Sequence, residues 1–148
     1  MGIVHADITI ENPSAAVQNK PRGRRNIRKL RVKALVDSGS VFMTVPEHVA
    51  LQLGYDVEEV GTREAVLADG SRKRVPMIGP LRVHFQDRYC DLSALVLGDE
   101  ALLGAVPMEM MDLVIHPAGR TLSVNPDNPY VPTATTKRGA RGKLPRRR

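Results

Sequence analysis

The chain has 148 residues, which is the length of one domain. Its 22 Lys and Arg exceed its 16 Asp and Glu, giving a formal charge of +6, and its aromatic residues are three Tyr and two Phe. So few aromatic side chains argue against a base-stacking surface for nucleic acid, while four scattered His and one Cys argue against a zinc site or a disulfide.

The positive charge is concentrated in two segments, residues 20–33 and 137–148. They hold eight and seven basic residues and no acidic one, which leaves seven basic against sixteen acidic residues elsewhere, a balance of 7 − 16 = −9. We expect a folded domain over residues 1–130 and a disordered basic tail over residues 131–148, because the tail has little apolar surface to bury. A solvated tail is the simpler interpretation, and contact with nucleic acid is the alternative that we do not favour.

The first two predicted elements are β-strands. Residues 3–10 alternate partly between apolar and polar side chains, and Asn12-Pro13 ends that strand. Residues 27–36 carry apolar side chains at a period of two and form the second strand.

The second strand leads directly into Asp37-Ser38-Gly39-Ser40. An apolar strand end positions the Asp37 carboxylate, the Ser38 hydroxyl can form a hydrogen bond to a neighbouring loop, and Gly39 lets the backbone pass close to the carboxylate. By itself, an Asp before Ser-Gly is usually a turn residue whose side chain caps its own backbone.

A short helix is predicted over residues 45–54, because a Pro stands near its start and a Gly at its end. Residues 66–75 then place Asp69-Gly70 between two strand-like arms, which is typical of a β-hairpin. Taken alone, this pattern indicates an ordinary surface hairpin.

The last third of the domain is also predicted to form short strands and one short helix. Residues 81–85 and 89–97 are two strands joined by a turn, and an apolar strand ending in Leu102-Leu103-Gly104 precedes a short helix. Residues 121–125 form a last strand, closed by a proline. We expect the single Cys90 to be a buried, small apolar residue.

Two motifs together resemble the retropepsin-like aspartic proteases, the retroviral type of clan AA, in their single-domain bacterial form. They are Asp37-Ser38-Gly39 after an apolar strand and Leu102-Leu103-Gly104 farther along the chain. The resemblance covers about residues 3–126. It implies a mostly β, closed barrel-like domain with one or two short helices, in which the Leu-Leu-Gly strand supports the catalytic loop.

This chemistry needs two carboxylates, and the chain holds one matching triplet, because Asp69-Gly70-Ser71 has the wrong order. The resemblance therefore implies a homodimer in which each copy contributes Asp37 across a twofold axis. In this family the termini of both copies interleave in one sheet. Residues 121–125 and 3–8 are accordingly the predicted dimer contacts.

The resemblance also implies the mechanism and the substrate. Two adjacent carboxylates share one proton, so that one Asp37 activates a water and the other protonates the carbonyl oxygen of a peptide bond. Ser38, Gly39 and Ser40 shape the loop, and the hairpin closes over the cleft as a flap. The tip of the flap is formed by Ala68, Asp69, Gly70 and Ser71. The substrate is a peptide or protein, and no metal or cofactor is expected.

Three functions stay open from the sequence. One is an active endopeptidase, and another is a catalytically silent dimerisation or binding module whose basic segments contact nucleic acid or an acidic partner. The third is a plain nucleic-acid binder that acts through residues 137–148. The sequence begins without a basic-then-apolar leader and holds no apolar run of membrane-spanning length. We therefore expect a cytoplasmic protein with no membrane contact.

Overall fold

The computed structural model describes residues 2–16, 29–58 and 60–135. Most of the basic segment 20–33 and all of the segment 137–148 lie outside these ranges, so the disordered tail stays a prediction. No helix in the described ranges is both long and apolar enough to cross a membrane. The described part of the chain forms nine β-strands, two α-helices and a short 3-10 helix at Pro13–Ala16: β1 Val4–Glu11, β2 Lys29–Val36, β3 Thr44–Val45, α1 Glu47–Gln52, β4 Thr62–Val66, β5 Arg72–Phe85, β6 Arg88–Val96, β7 Ala101–Leu103, α2 Ala105–Met110, β8 Leu113–His116 and β9 Thr121–Val124.

Six of the strands close into a barrel in the order β1, β2, β7, β3, β6, β5 and back to β1. The closure depends on β1, which pairs antiparallel with β2 along its whole length and with β5 over its last three residues. A strand that is paired on both edges leaves no free edge there for aggregation. The predicted mostly β, closed barrel-like fold with two short helices is confirmed.

The barrel interior is filled by side chains at alternating strand positions. In β1 the residues Val4, Ala6, Ile8 and Ile10 are buried, whereas the residues between them lie at least partly in solvent. Leu81 and Val83 of β5 and Leu103 of β7 are fully buried in the same core. Burial of each such aliphatic side chain contributes about 1.5–3 kcal/mol, so the alternation in sequence translates directly into barrel stability.

The middle of the chain differs from the prediction in the length of one strand. The second arm of the hairpin and the predicted strand 81–85 are a single strand, β5, of 14 residues. Its register with β6 shifts between Ile78 and Leu81, where Gly79 and Pro80 lie. A proline is tolerated at such an irregularity because no ladder hydrogen bond from its nitrogen is required there.

The end of the domain contains a hairpin that the sequence only half predicted. Strand β9 was expected, but its partner β8 was not, because Leu113-Val114-Ile115 is a short apolar run without alternation. The two strands form a separate two-stranded sheet, with Leu113 opposite Val124. The predicted helix is present as α1, with Pro46 as its N-cap residue.

Candidate active site

The Asp37 carboxylate is held by its own loop at the end of β2. Its Oδ1 accepts a hydrogen bond of 2.9 Å from the Gly39 N–H, and its Oδ2 accepts one of 2.9 Å from the Ser40 hydroxyl. The Asp37 backbone N–H donates to the Leu103 carbonyl at 3.1 Å. Both carboxylate oxygens are thus oriented by donors within four residues, while the side chain remains half-buried.

The backbone at the end of β7 packs directly against this loop and supports it. Strand β7 runs parallel to β2, and Gly104 follows it directly against the loop. A Cβ at Gly104 would lie 2.4 Å from the Phe42 carbonyl oxygen and 2.7 Å from that of Ser40. The next residue, Ala105, donates its N–H to the Ser40 carbonyl at 2.7 Å. Only a glycine permits this close approach of the two backbones.

The three residues of the Leu-Leu-Gly motif lie in different positions. Leu103 and Gly104 contact the Asp37 loop as described, and Leu103 is fully buried. Leu102 lies opposite Leu35 of β2 and, on its other side, opposite Thr44 of β3. It therefore contributes to the sheet that carries the loop.

Of the two serines of the loop, only Ser40 contacts the Asp37 carboxylate within the described part of the chain. Ser38 and Gly39 are exposed, and the Ser38 hydroxyl has no hydrogen-bond partner among the residues that the structure describes. Ser40 supplies the hydroxyl that orients Asp37. The sequence feature that indicates this role is the position of the Ser40 hydroxyl, three residues after Asp37 in a predicted turn. The contact of Ser38 with a second copy stays a prediction.

The predicted hairpin is confirmed, and its tip is closed by local hydrogen bonds. The Gly70 N–H donates to the Leu67 carbonyl at 2.9 Å, and Gly70 has a φ of 81°, a conformation that favours glycine. The Asp69 Oδ1 accepts from the backbone N–H and the hydroxyl of Ser71, and these bonds hold the pKa of the Asp69 carboxyl below its usual value. Ala68 lies in the same turn.

A groove of about 430 Å³ separates the Asp37 loop from strand β4 of the hairpin. Its walls are mainly apolar, and three of the side chains that line it, Val41, Phe42 and Val66, are 56%, 40% and 66% exposed. The guanidinium carbon of Arg63 lies 5.0 Å from the centre of the Phe42 ring.

A second groove, of about 310 Å³, begins at Ser38. It is bounded by helix α2 and strand β8, and its apolar lining includes Met108 and Ile115. The loop that carries Asp37 therefore contributes to two apolar grooves, through Ser38 on one and through Gly39 and Ser40 on the other.

Other chemically active side chains are less suited to a site. Burial raises the pKa of the Cys90 thiol to about 12, so the thiol stays protonated and unreactive. Within the described ranges, no three His, Cys, Asp or Glu side chains are close enough to hold a metal ion. Asp37 is thus the candidate functional group that combines a fixed orientation with adjoining grooves.

Three solved structures are similar to this chain. The retroviral protease-like domain of Ddi1 from Leishmania major matches with a TM-score of 0.55 at 17% sequence identity, over 85% of this chain and 90% of that chain. A retropepsin-like aspartic protease from Rickettsia conorii has a TM-score of 0.44 at 18% identity, over 71% of this chain and 80% of its own. The protease of simian foamy virus has a TM-score of 0.40 at 19% identity, over 69% and 90%.

The first of these matches shows that the chain has the retropepsin-like fold, which confirms the resemblance seen in the sequence at the level of fold. No protein-family model and no curated protein matches the chain by sequence. Since a fold hosts many functions, the activity has to be argued from the site.

Proposed function

We propose that this protein is an aspartic endopeptidase whose active site forms when two copies bring their Asp37 carboxylates together. The orientation of Asp37 by Gly39 and Ser40, on a loop braced by Gly104, is the observation that carries this proposal. A turn-forming Asp needs no such brace, and it needs no apolar grooves beside it.

The proposed reaction is a general acid–base hydrolysis. At contact distance, two carboxylates hold one proton between them, so one Asp37 is ionised and the other is protonated. The ionised carboxylate takes a proton from a water, whose oxygen attacks the peptide carbonyl, while the protonated carboxylate donates its proton to the carbonyl oxygen. The carboxyl that took up the water's proton then donates it to the nitrogen, the C–N bond breaks, and a hydroxyl of the intermediate returns its proton to the other carboxylate as the carbonyl reforms.

The homodimer follows from the number of carboxylates. One copy supplies one Asp-Ser-Gly triplet, and its Ser38 is exposed, with its hydroxyl unpaired in the described part of the chain. A twofold axis beside Ser38 would bring the same surface of two copies together, as an isologous dimer requires. The first and last strands, over residues 3–8 and 121–125, are the proposed contacts.

The hairpin of β4 and β5 is the proposed flap. It forms one wall of the groove beside Ser40, and its tip, Ala68 to Ser71, is stabilised by its own hydrogen bonds. An extended peptide in this groove could pair with the strand backbone, which gives affinity without demanding one side-chain sequence. Closure of the flap would exclude water from the reacting bond.

The variant Asp37→Asn tests the proposal. The amide keeps the size of the side chain and can accept from the Gly39 N–H, so we expect a folded protein that retains its association state. Cleavage of a mixed peptide library should fall to the uncatalysed background, because neither copy can ionise at this position. The control is circular dichroism and size-exclusion chromatography of both proteins. Undiminished cleavage by the folded variant would falsify the assignment of Asp37.

A mixing experiment tests whether two copies share one site. When wild-type and Asp37→Asn chains are unfolded together and refolded at a constant total concentration, activity should follow the square of the wild-type fraction, because only wild-type pairs hold two carboxylates. A site within one copy would give a linear dependence instead. The silent binding module, with its basic segments on nucleic acid or an acidic partner, predicts no hydrolysis at any ratio.

A further inference from the structure

Arg63 lies on the side of the hairpin that faces the barrel. In the pairing of β4 with β5 it is opposite Val75, which is 2% exposed, and directly opposed residues in a sheet project to the same face. Its guanidinium lies over the ring of Phe42, across the groove from β4. The side chain thus reaches from the proposed flap to the loop that follows Asp37.

The charge of Arg63 has no counter-ion in the described part of the chain. No carboxylate there lies within 4 Å of its guanidinium, and its N–H groups make no hydrogen bond to those residues. Glu64 lines the same groove, but its carboxylate pairs with Arg72 at 2.6 Å. The neighbouring acid is therefore already engaged, and the positive charge of Arg63 is left uncompensated.

The contact with Phe42 leaves the donor groups of Arg63 available, because its N–H groups make no hydrogen bond in the described part of the chain. A guanidinium carries its N–H donors in a planar fork, which matches the two oxygens of a carboxylate. The groove walls beside it, Val41 and Val66, are apolar, which lowers the competition from water. The groove thus combines apolar walls with one oriented, unpaired donor fork.

We propose that Arg63 selects peptides that place an acidic side chain, Asp or Glu, in the groove between the Asp37 loop and β4. This inference deepens the proposed function and rests on it for the identity of the ligand as a peptide substrate. The preference arises from an ion pair that forms on binding, so Arg63 determines specificity and takes no part in the hydrolysis itself.

Binding to the full-length Asp37→Asn protein tests the inference without requiring cleavage. The probes are fluorescent extended peptides in matched pairs that differ only by Glu or Gln, with the position of this residue moved along the peptide. At one position the Glu peptide should bind about threefold to tenfold more tightly in low salt, as a partly exposed charge pair allows. The difference should shrink as the salt concentration rises.

Three further substitutions in the same background make the assignment specific. Arg63→Gln should remove the preference for Glu, and Arg63→Glu should reverse it in favour of a Lys peptide. Arg74→Gln is the matched control, because Arg74 carries the same charge on the same hairpin but does not line this groove. It should leave the preference intact. Thermal unfolding of each variant checks that the fold is retained.

Several outcomes overturn the inference. They are equal binding of Glu and Gln peptides at every position, no measurable binding of any acidic peptide, and a preference that survives Arg63→Gln or disappears equally in Arg74→Gln. Parallel cleavage assays with the wild-type chain separate the two proposals. A Glu preference in binding without hydrolysis supports the role of Arg63 and removes the peptidase. Hydrolysis with no Glu preference removes only the role of Arg63.

Discussion

Ser40 and Asp37 are joined by two hydrogen bonds. The Ser40 hydroxyl donates to Asp37 Oδ2 at 2.9 Å, and the Ser40 backbone N–H donates to the Asp37 carbonyl at 3.2 Å. The second bond closes the turn, and the first fixes the direction of the carboxylate within that turn. Backbone and side chain of one serine therefore define both where the carboxylate lies and how it points.

Replacement of Ser40 by Ala should separate these two effects. The backbone bond persists, so the protein should stay folded, but the carboxylate loses a donor whose hydrogen bond to a charged group contributes about 1.5–3 kcal/mol. We expect peptide cleavage to fall about tenfold or more, measured as kcat/KM. Ser40→Thr retains the hydroxyl and should recover most of the activity. Full activity of Ser40→Ala would show that this hydrogen bond is dispensable.

Because the backbone at Gly104 packs closely against the Asp37 loop, a larger residue at this position should cause a steric clash. The variant Gly104→Ala places a Cβ 2.4 Å from the Phe42 carbonyl oxygen, and the facing backbone cannot rotate away as a side chain could. We expect the free energy of unfolding in urea to fall by about 1–3 kcal/mol, as for other overpacked sites, and cleavage to be lost. Gly61→Ala is the control, because nothing lies within 4 Å of its Cβ position. Equal stability of the two variants would contradict the proposed brace.

A buried arginine ties the barrel to its C-terminal segment. The Arg88 side chain, 2% exposed, donates to the carbonyls of Met111 at 2.9 Å and Asp112 at 3.1 Å, and also to that of Asn128. These contacts join the start of β6 to the end of α2 and to the chain beyond β9. One guanidinium thus holds three chain segments together.

Arg88→Met should therefore lower stability and loosen the segment at residues 125–133. The substitution leaves buried carbonyls without donors, which should reduce the free energy of unfolding by about 3 kcal/mol. Hydrogen exchange should accelerate at Asn125 and Asn128 before the rest of the barrel. Arg82→Met, which removes a more exposed pair with Asp91, serves as the control and should have a much smaller effect. If hydrogen exchange at Asn125 and Asn128 is unchanged in Arg88→Met, the Arg88 side chain does not hold this segment to the barrel.

Asp112 gives this region a defined dependence on pH. Hydrogen bonds from the Asn125 side chain and the Thr133 backbone N–H, and then from the Asn128 side chain, hold the pKa of its carboxyl below the usual value. A depressed pKa means that the unfolded chain takes up the proton first as the pH falls. The stabilisation is therefore complete above the ordinary carboxyl pKa of about 3.9 and is lost as the pH falls through the lower pKa of the folded state.

Comparison of Asp112→Asn with the wild-type protein checks this sign. The variant should be less stable in urea at neutral pH, and the difference should narrow as the pH falls below about 3.9. Asp127→Asn is the control, since the Asp127 side chain makes no hydrogen bond within the described part of the chain. A difference that is constant from neutral to acid pH would mean that Asp112 acts through its shape rather than its charge.

The amino-acid sequence by itself determined the local elements of this protein. Alternating burial was readable in β1, the hairpin tip was readable from Asp69-Gly70, and the Asp37 motif was readable from its neighbours. In each case the physical cause acts within a few residues. Strand period, turn conformation and capping are short-range properties.

Only the tertiary structure decided which residues of these elements contact one another. The brace at Gly104, the position of Arg63 over Phe42 and the clamp of Arg88 all join residues from different strands or loops. The same holds for β5, which continues through Pro80 because β6 pairs with it on both sides of the irregularity. Such contacts depend on barrel closure, which brings distant segments together, and no local pattern in the chain encodes which side chains will then face one another.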